Sequence, residues 1–216
     1  MIENAPSSED RPRRPLAALA ALLVIVVLAV LVGQAVSWAA APQPPRAFVG
    51  CKTAPQMGPR LYAGPPARCI DANKPYSAKL RTSKGDISVV FLVGSAPETV
   101  NNFIVLAVNG YFNGLRFFRT ADWYVQNGDP LENGRGGPGY VLPDEPSSDR
   151  WTPGSLGMAR TAAGVSGGQF FVTRQQWPGG DPTIAYNHFA TVTVGFEIIG
   201  QLTTDDRILA VDVRPG

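Results

Sequence analysis

One stretch of this chain, SAPETVNNFIVLAVNGYF from Ser95 to Phe112, has a helical period, and short segments of strand period flank it on both sides. Ser95 followed by Glu98 reads as a capping box, with Pro97 in the first turn. Val100, Phe103, Ile104, Ala107 and Tyr111 share one helical face, and Asn109-Gly110 ends the helix. Upstream, YSAKLRT from Tyr76 alternates, SKG turns, and DISVVFLV puts Ile87, Val89 and Phe91 on one side. Downstream come LRFFRT, WYVQNGD, SLGMA, GQFFVT, FATVTV and ILAVDV, split by glycine-rich loops. One helix among many short strands implies a mainly β domain, a closed barrel or sandwich with helical caps. The 20 prolines and 23 glycines agree with a turn-rich β chain.

The N-terminus is a different kind of sequence. PLAALAALLVIVVLAVLVG, from Pro15 to Gly33, carries no charge, and only Gln34 and Ser37 interrupt the apolar character before Ala41. About 20 apolar residues at ~1.5 Å each span a ~30 Å hydrocarbon core. Arg11, Arg13 and Arg14 precede the run and stay cytoplasmic by the positive-inside rule, and Trp38 suits an interface. The expected organisation is a cytoplasmic tail (1–14), a single transmembrane helix (15–41), a Pro-rich linker (42–75) and a folded domain (76–216) on the extracytoplasmic side of the cell membrane. A cleaved signal peptide is the alternative, since SWAAAP offers small residues, although the run exceeds the usual h-region.

A net charge of +2 gives no footprint for nucleic acid. The two cysteines, Cys51 and Cys69, are the only ones in the chain. Outside the cytoplasm such a pair reads as a disulfide. A zinc site is disfavoured by the single His, His188. The abundance of Ala, Gly, Pro and Arg points to a GC-rich bacterial genome.

The stretch FFRTADWYVQNGDP sets Arg119 among aromatic residues. A guanidinium cannot be neutralised or cheaply buried, so an apolar strand carrying one needs a reason. In order and near-spacing, FFRTADWYVQNGDP, GRGGPGY, PDE, GSLGMAR and GGQFFVT resemble the cyclophilins, peptidyl-prolyl cis-trans isomerases built on an eight-stranded antiparallel barrel with two capping helices. The resemblance runs from about Tyr76 to Val213. It implies that Arg119 is catalytic and that Gln126 stands beside it. It further implies that Ala159 offers its backbone to substrate, and that Gln169 and Phe171 wall a proline pocket. Tyr186 takes the place of a pocket His or Tyr, and Trp177 that of a rim tryptophan. One residue is missing between Arg119 and Gln126, so the pocket phenylalanine is replaced by Trp123 or Tyr124, and counting from Gln126 favours Trp123. Phe118 replaces the usual His, Arg160 a common Asn, and the second helix, near FEIIGQL, is short.

The implied chemistry needs no metal or cofactor. Rotation about an X-Pro bond removes amide resonance against a barrier of ~18–20 kcal/mol. A guanidinium aimed at the prolyl nitrogen or the preceding carbonyl favours the twisted amide over the planar one. The implied partners are proline-containing polypeptides, secreted or of the cell envelope, with cyclosporin-like cyclic peptides as candidate ligands and a monomeric chain. The alternative is a cyclophilin-like peptide-binding or scaffolding module with little turnover. A Ser-His-Asp hydrolase around His188 lacks a nucleophile elbow.

Overall fold

The computed structural model describes residues 46–178, 181–182 and 186–216. The apolar run expected to cross the membrane, 15–41, and the tail before it lie outside the described residues. Among the described residues no helix is long and apolar enough to span a bilayer.

A 3-10 turn (Arg46–Phe48) leads to β1 (Gln56–Gly58) and β2 (Leu61–Tyr62), a small hairpin. Then come β3 (Tyr76–Thr82), β4 (Gly85–Phe91), α1 (Pro97–Val108), β5 (Arg119–Ala121), β6 (Tyr124–Asn127), β7 (Val141–Leu142), β8 (Ser155–Thr161), β9 (Gly164–Thr173), β10 (His188–Val194), α2 (Phe196–Gln201) and β11 (Ile208–Pro215). The large antiparallel sheet follows the order β11-β3-β4-β10-β8-β9-β6-β5, with β7 added on β9. It therefore holds nine strands, where the resemblance implied eight. The ninth is the two-residue β7.

Closure also differs from expectation. Among the described residues no ladder joins β5 to β11. The two ends meet at an isolated bridge, Arg116–Arg207, flanked by Phe117 N–H donating to the Asp206 carbonyl (3.0 Å) and Ile208 N–H to that of Leu115 (3.0 Å). The sheet is thus a curled half-barrel. Its concave side is filled by residues whose alternation was visible in the sequence: Ile87, Val89 and Phe91 are all buried. Phe103 of α1 plugs the centre, 4.7 Å from Phe112, 5.1 Å from Phe189 and 5.4 Å from Phe170 between ring centroids.

The expected capping box does not form. Ala96 is the N-cap of α1 and has no side-chain cap, while the Ser95 hydroxyl donates to Asp149 (2.5 Å). Instead Glu145, from the PDE segment, accepts the Glu98 and Thr99 amides at 2.8 and 2.9 Å, one on each carboxylate oxygen. A carboxylate at this end satisfies orphan donors and meets the positive end of the helix dipole. Glu98, freed from capping, pairs with Arg68.

The segment expected to be a stiff linker is, from residue 46, part of the domain. α1 is buried from Thr99 to Ala107 on every side, whereas a helix capping one sheet should bury a single stripe. The second cover is the 46–75 strap. Phe48, Cys51, Tyr62 and Ile70 are buried in the same core cluster as the sheet. Asn101 accepts from the Cys69 and Ile70 amides (2.8 and 3.3 Å) and donates to the Ala67 carbonyl (3.2 Å). Asn109 donates to the Cys51 carbonyl at 2.8 Å. Cys51 and Cys69 are joined by a disulfide with Cα atoms 5.4 Å apart, which closes the strap over the helix.

Candidate active site

Residues facing outward from β5, β6, β8 and β9 meet on the convex side of the sheet. The register sets them there: Arg119 pairs with Gln126, Gln126 with Phe171, and Phe171 with Gly157. Their neighbours in sequence, Val125, Phe170 and Met158, point inward and are buried in the core.

Arg119 is exposed at the start of β5, and its side chain has no hydrogen bond or ion pair among the described residues. It lies over Gly134, where a Cβ would stand 3.5 Å from the guanidinium Nη2. Gly134, at φ +85°, leaves room for it. Across the ladder, Gln126 is buried and donates through Nε2 to Gln169 Oε1 at 2.9 Å. Gln169 in turn donates through Nε2 to the Gly136 carbonyl at 2.6 Å. This chain fixes both amides and leaves Gln126 Oε1 to accept from a guanidinium or a peptide N–H.

The ladder beside them is interrupted. Between the pairs Met158–Phe170 and Arg160–Val165, β8 has one residue, Ala159, and β9 has four, 166–169. A bulge of this size re-aims side chains and leaves backbone unpaired. Here it turns Gln169 towards Gly136 and leaves Ala159 without a register partner on β9.

Phe171 is the floor of an aromatic cluster. Trp123, Tyr124, Trp177 and Tyr186 stand around it at 6.4, 6.2, 5.8 and 5.4 Å between centroids. Every site residue named from the sequence thus falls on this face or its rim. Tyr124 and Trp123 both reach Phe171. Asp122 and Trp123 form the two-residue turn between β5 and β6, which is how the chain absorbs the missing residue. Trp123 packs on Trp177 at 4.5 Å. Asp129, behind the site, is a turn residue: its carboxylate accepts the Leu131, Asn133 and Gly134 amides (2.8, 3.0 and 2.5 Å) and shapes the loop under Arg119.

A family model described as cyclophilin type peptidyl-prolyl cis-trans isomerase/CLD matches residues 77–214. The chain belongs to the cyclophilin family. A peptidyl-prolyl cis-trans isomerase of Synechococcus elongatus is 34% identical over 137 residues, covering 63% of this chain and 94% of that protein. One of Helicobacter pylori is 31% identical over 137 residues, 62% of this chain and 84% of its own length. The crystal structure of a Cryptosporidium parvum cyclophilin shares the fold, with a TM-score of 0.59 and 23% identity over 65% of this chain and 98% of that one. This protein is therefore a cyclophilin-type peptidyl-prolyl cis-trans isomerase with a mainly β, two-helix domain.

Three features of this cyclophilin were not found from its sequence. Trp151, in the loop before β8, is buried under Phe171. His188, the first residue of β10, is buried beside Trp151. A cavity of about 400 Å³ lies next to the site, lined in part by Pro59 and Leu61 of the strap and by Arg135, Gly136 and Tyr140. A Pro-rich strap gives no periodic signal that would have announced its part in that wall.

His188 makes a pH prediction. Burial pushes its pKa down, partly opposed by the backbone and then the carboxylate of the nearby Asp149. The unfolded chain binds this proton near pH ~6.5 and the folded one only at lower pH. Stability should be full above that value and decline as pH falls below it. Since His188 is the only His, urea titrations between about pH 7 and 5 isolate it. His188→Phe should flatten the decline, and an unchanged slope in a folded variant would contradict the assignment.

Proposed function

We propose that this isomerase acts on X-Pro bonds of secreted or cell-envelope polypeptides, held at the extracytoplasmic face of the membrane by residues 15–41. The observation that carries the catalytic part is the exposed Arg119 registered across from buried Gln126 and beside the aromatic floor of Phe171. In this reading the proline ring sits against Phe171, with Trp123, Tyr124, Trp177 and Tyr186 around it. The Ala159 backbone and Gln126 hold the peptide, and Gln169 holds Gln126. Arg119 aims its fork at the prolyl nitrogen or the preceding carbonyl. As the amide twists, the nitrogen becomes pyramidal and basic, and the guanidinium interacts more strongly with it than with the planar amide. The apolar rings lower the local dielectric and strengthen that preference. Cyclosporin-like cyclic peptides would compete for the same surface.

The location rests on two sequence features, the charge-free run after three arginines and the only two cysteines, which stand 18 residues apart and are paired as an oxidising compartment allows. Protease added to intact cells, once any outer barrier is removed, should degrade the domain. Protection until lysis would overturn this placement, and a mature chain beginning near Pro42 would replace the anchor with a cleaved leader.

A further inference from the structure

The aromatic floor has a support that the chemistry above does not use. Phe171 and Trp151 are both buried, 4% and 5% exposed, yet neither belongs to the contiguous hydrophobic core. They belong instead to a set of near-parallel rings. Trp151 stacks on Phe171 at 5.6 Å and 15°, and on His188 at 4.4 Å and 23°.

The space for the indole is made by one missing side chain. Gly157 is the cross-strand partner of Phe171. A Cβ there would stand 2.4 Å from Trp151 Cη2 and 2.7 Å from Phe171 Cζ, distances at which the rings must move. The φ of Gly157 is not in the left-handed region, so the glycine serves the approach of two rings and not a turn. The Trp151 backbone is fixed as well. Its carbonyl accepts from Gln176 Nε2 at 3.0 Å, and the next residue, Thr152, donates to Ser155 Oγ (3.0 Å) and accepts from Thr173 Oγ1 (2.8 Å). Trp151 also touches the rim, 5.5 Å from Trp177 and 6.3 Å from Tyr186.

We propose that Trp151 is a positioning residue for substrate: from behind, it sets the ring of Phe171 against which the proline packs, in the space that Gly157 leaves. This rests on the reading of Phe171 as the proline floor. Among the described residues Trp151 makes no ring contact or hydrogen bond with Arg119. Loosening it should therefore weaken peptide binding and leave the saturated rate alone. An aromatic pair of this kind corresponds to a factor of about 3–10 in an equilibrium.

The test is steady-state isomerisation of an X-Pro peptide by the purified full-length chain, with folding followed by circular dichroism. Trp151→Leu keeps bulk without stacking and should raise KM by about 3–10-fold while kcat stays within about twofold. Trp151→Phe, which retains a flat ring, should recover most of the binding. Gly157→Ala, whose methyl displaces both rings, should raise KM in the same way and decides the matter if Trp151→Leu does not fold. Unchanged KM in folded Trp151→Leu or Gly157→Ala, a loss of kcat at constant KM, or Trp151→Phe no better than Trp151→Leu would overturn the inference. Phe171→Ala separates the two levels. If it leaves KM unchanged, the floor reading itself fails; if it raises KM and Trp151→Leu does not, only the role of Trp151 fails.

Discussion

Arg119→Ala should leave a folded protein that has lost most of its isomerase activity, on the order of 2–4 kcal/mol of barrier lowering as for other preorganised charge stabilisers. At ~1.4 kcal/mol per decade this is roughly thirty- to a thousandfold in kcat/KM. Folding should survive because Arg119 is exposed and its side chain has no hydrogen bond or ion pair among the described residues. Arg119→Lys should lose a large part of the rate as well, since an ammonium lacks the planar fork and its fixed donor directions. The variant also discriminates between charge and geometry. If Lys restores nearly full activity, a positive field suffices and the fork is unimportant.

The second large effect is on stability. A chain starting at Tyr76 should be far less stable than one starting at Arg46. It lacks Phe48, Tyr62 and Ile70, all buried, and each such side chain contributes roughly 1.5–3 kcal/mol by burial. It also exposes the outer face of α1 and leaves the Asn101 side chain without the backbone groups of Ala67, Cys69 and Ile70. A loss of several kcal/mol is a large share of a typical ~5–15 kcal/mol, and at this chain length corresponds to a fall in Tm of about 2–4 °C per kcal/mol. Reduction of Cys51–Cys69 should reproduce part of it, about 3 kcal/mol on the chain-entropy estimate. Calorimetry of the two fragments checks this directly. Equal Tm values would mean that the strap is a passenger.

That strap marks where the sequence stopped being legible. Strand and helix faces were readable because burial repeats with a period: Ile87, Val89 and Phe91 alternate, and Val100, Phe103, Ile104 and Ala107 recur with the helix. Phe48, Tyr62 and Ile70 follow no period and stand among prolines, so composition alone reads as linker. Glu145 was likewise hidden. Its partners are the Glu98 and Thr99 amides, more than forty residues earlier in the chain, while the local Ser95–Glu98 pattern offered a complete but unused alternative.

The site was legible where a motif carried it. Gln169 and Phe171 stand together in GGQFFVT, Gln126 follows Arg119 one residue early, and the ladders bring all four onto one face. Counting from Gln126 favoured Trp123 over Tyr124, whereas in the folded chain the two-residue turn lets both rings reach Phe171. Trp151 had no signal at all. Its role depends on the space left by Gly157, and a glycine in a strand says nothing about which distant ring fills it. The barrel seam was invisible for a similar reason, since a single bridge between Arg116 and Arg207 leaves no strand pattern.

The central claim is that Arg119 prefers the twisted prolyl amide to the planar one. Magnetisation exchange between the cis and trans resonances of an X-Pro peptide measures this most directly, with peptide binding read from the same spectra. The parent protein should accelerate exchange without added metal or cofactor, and folded Arg119→Ala should bind the peptide with similar affinity and no longer accelerate it. An Arg119→Ala protein that speeds exchange as the parent does would contradict the account.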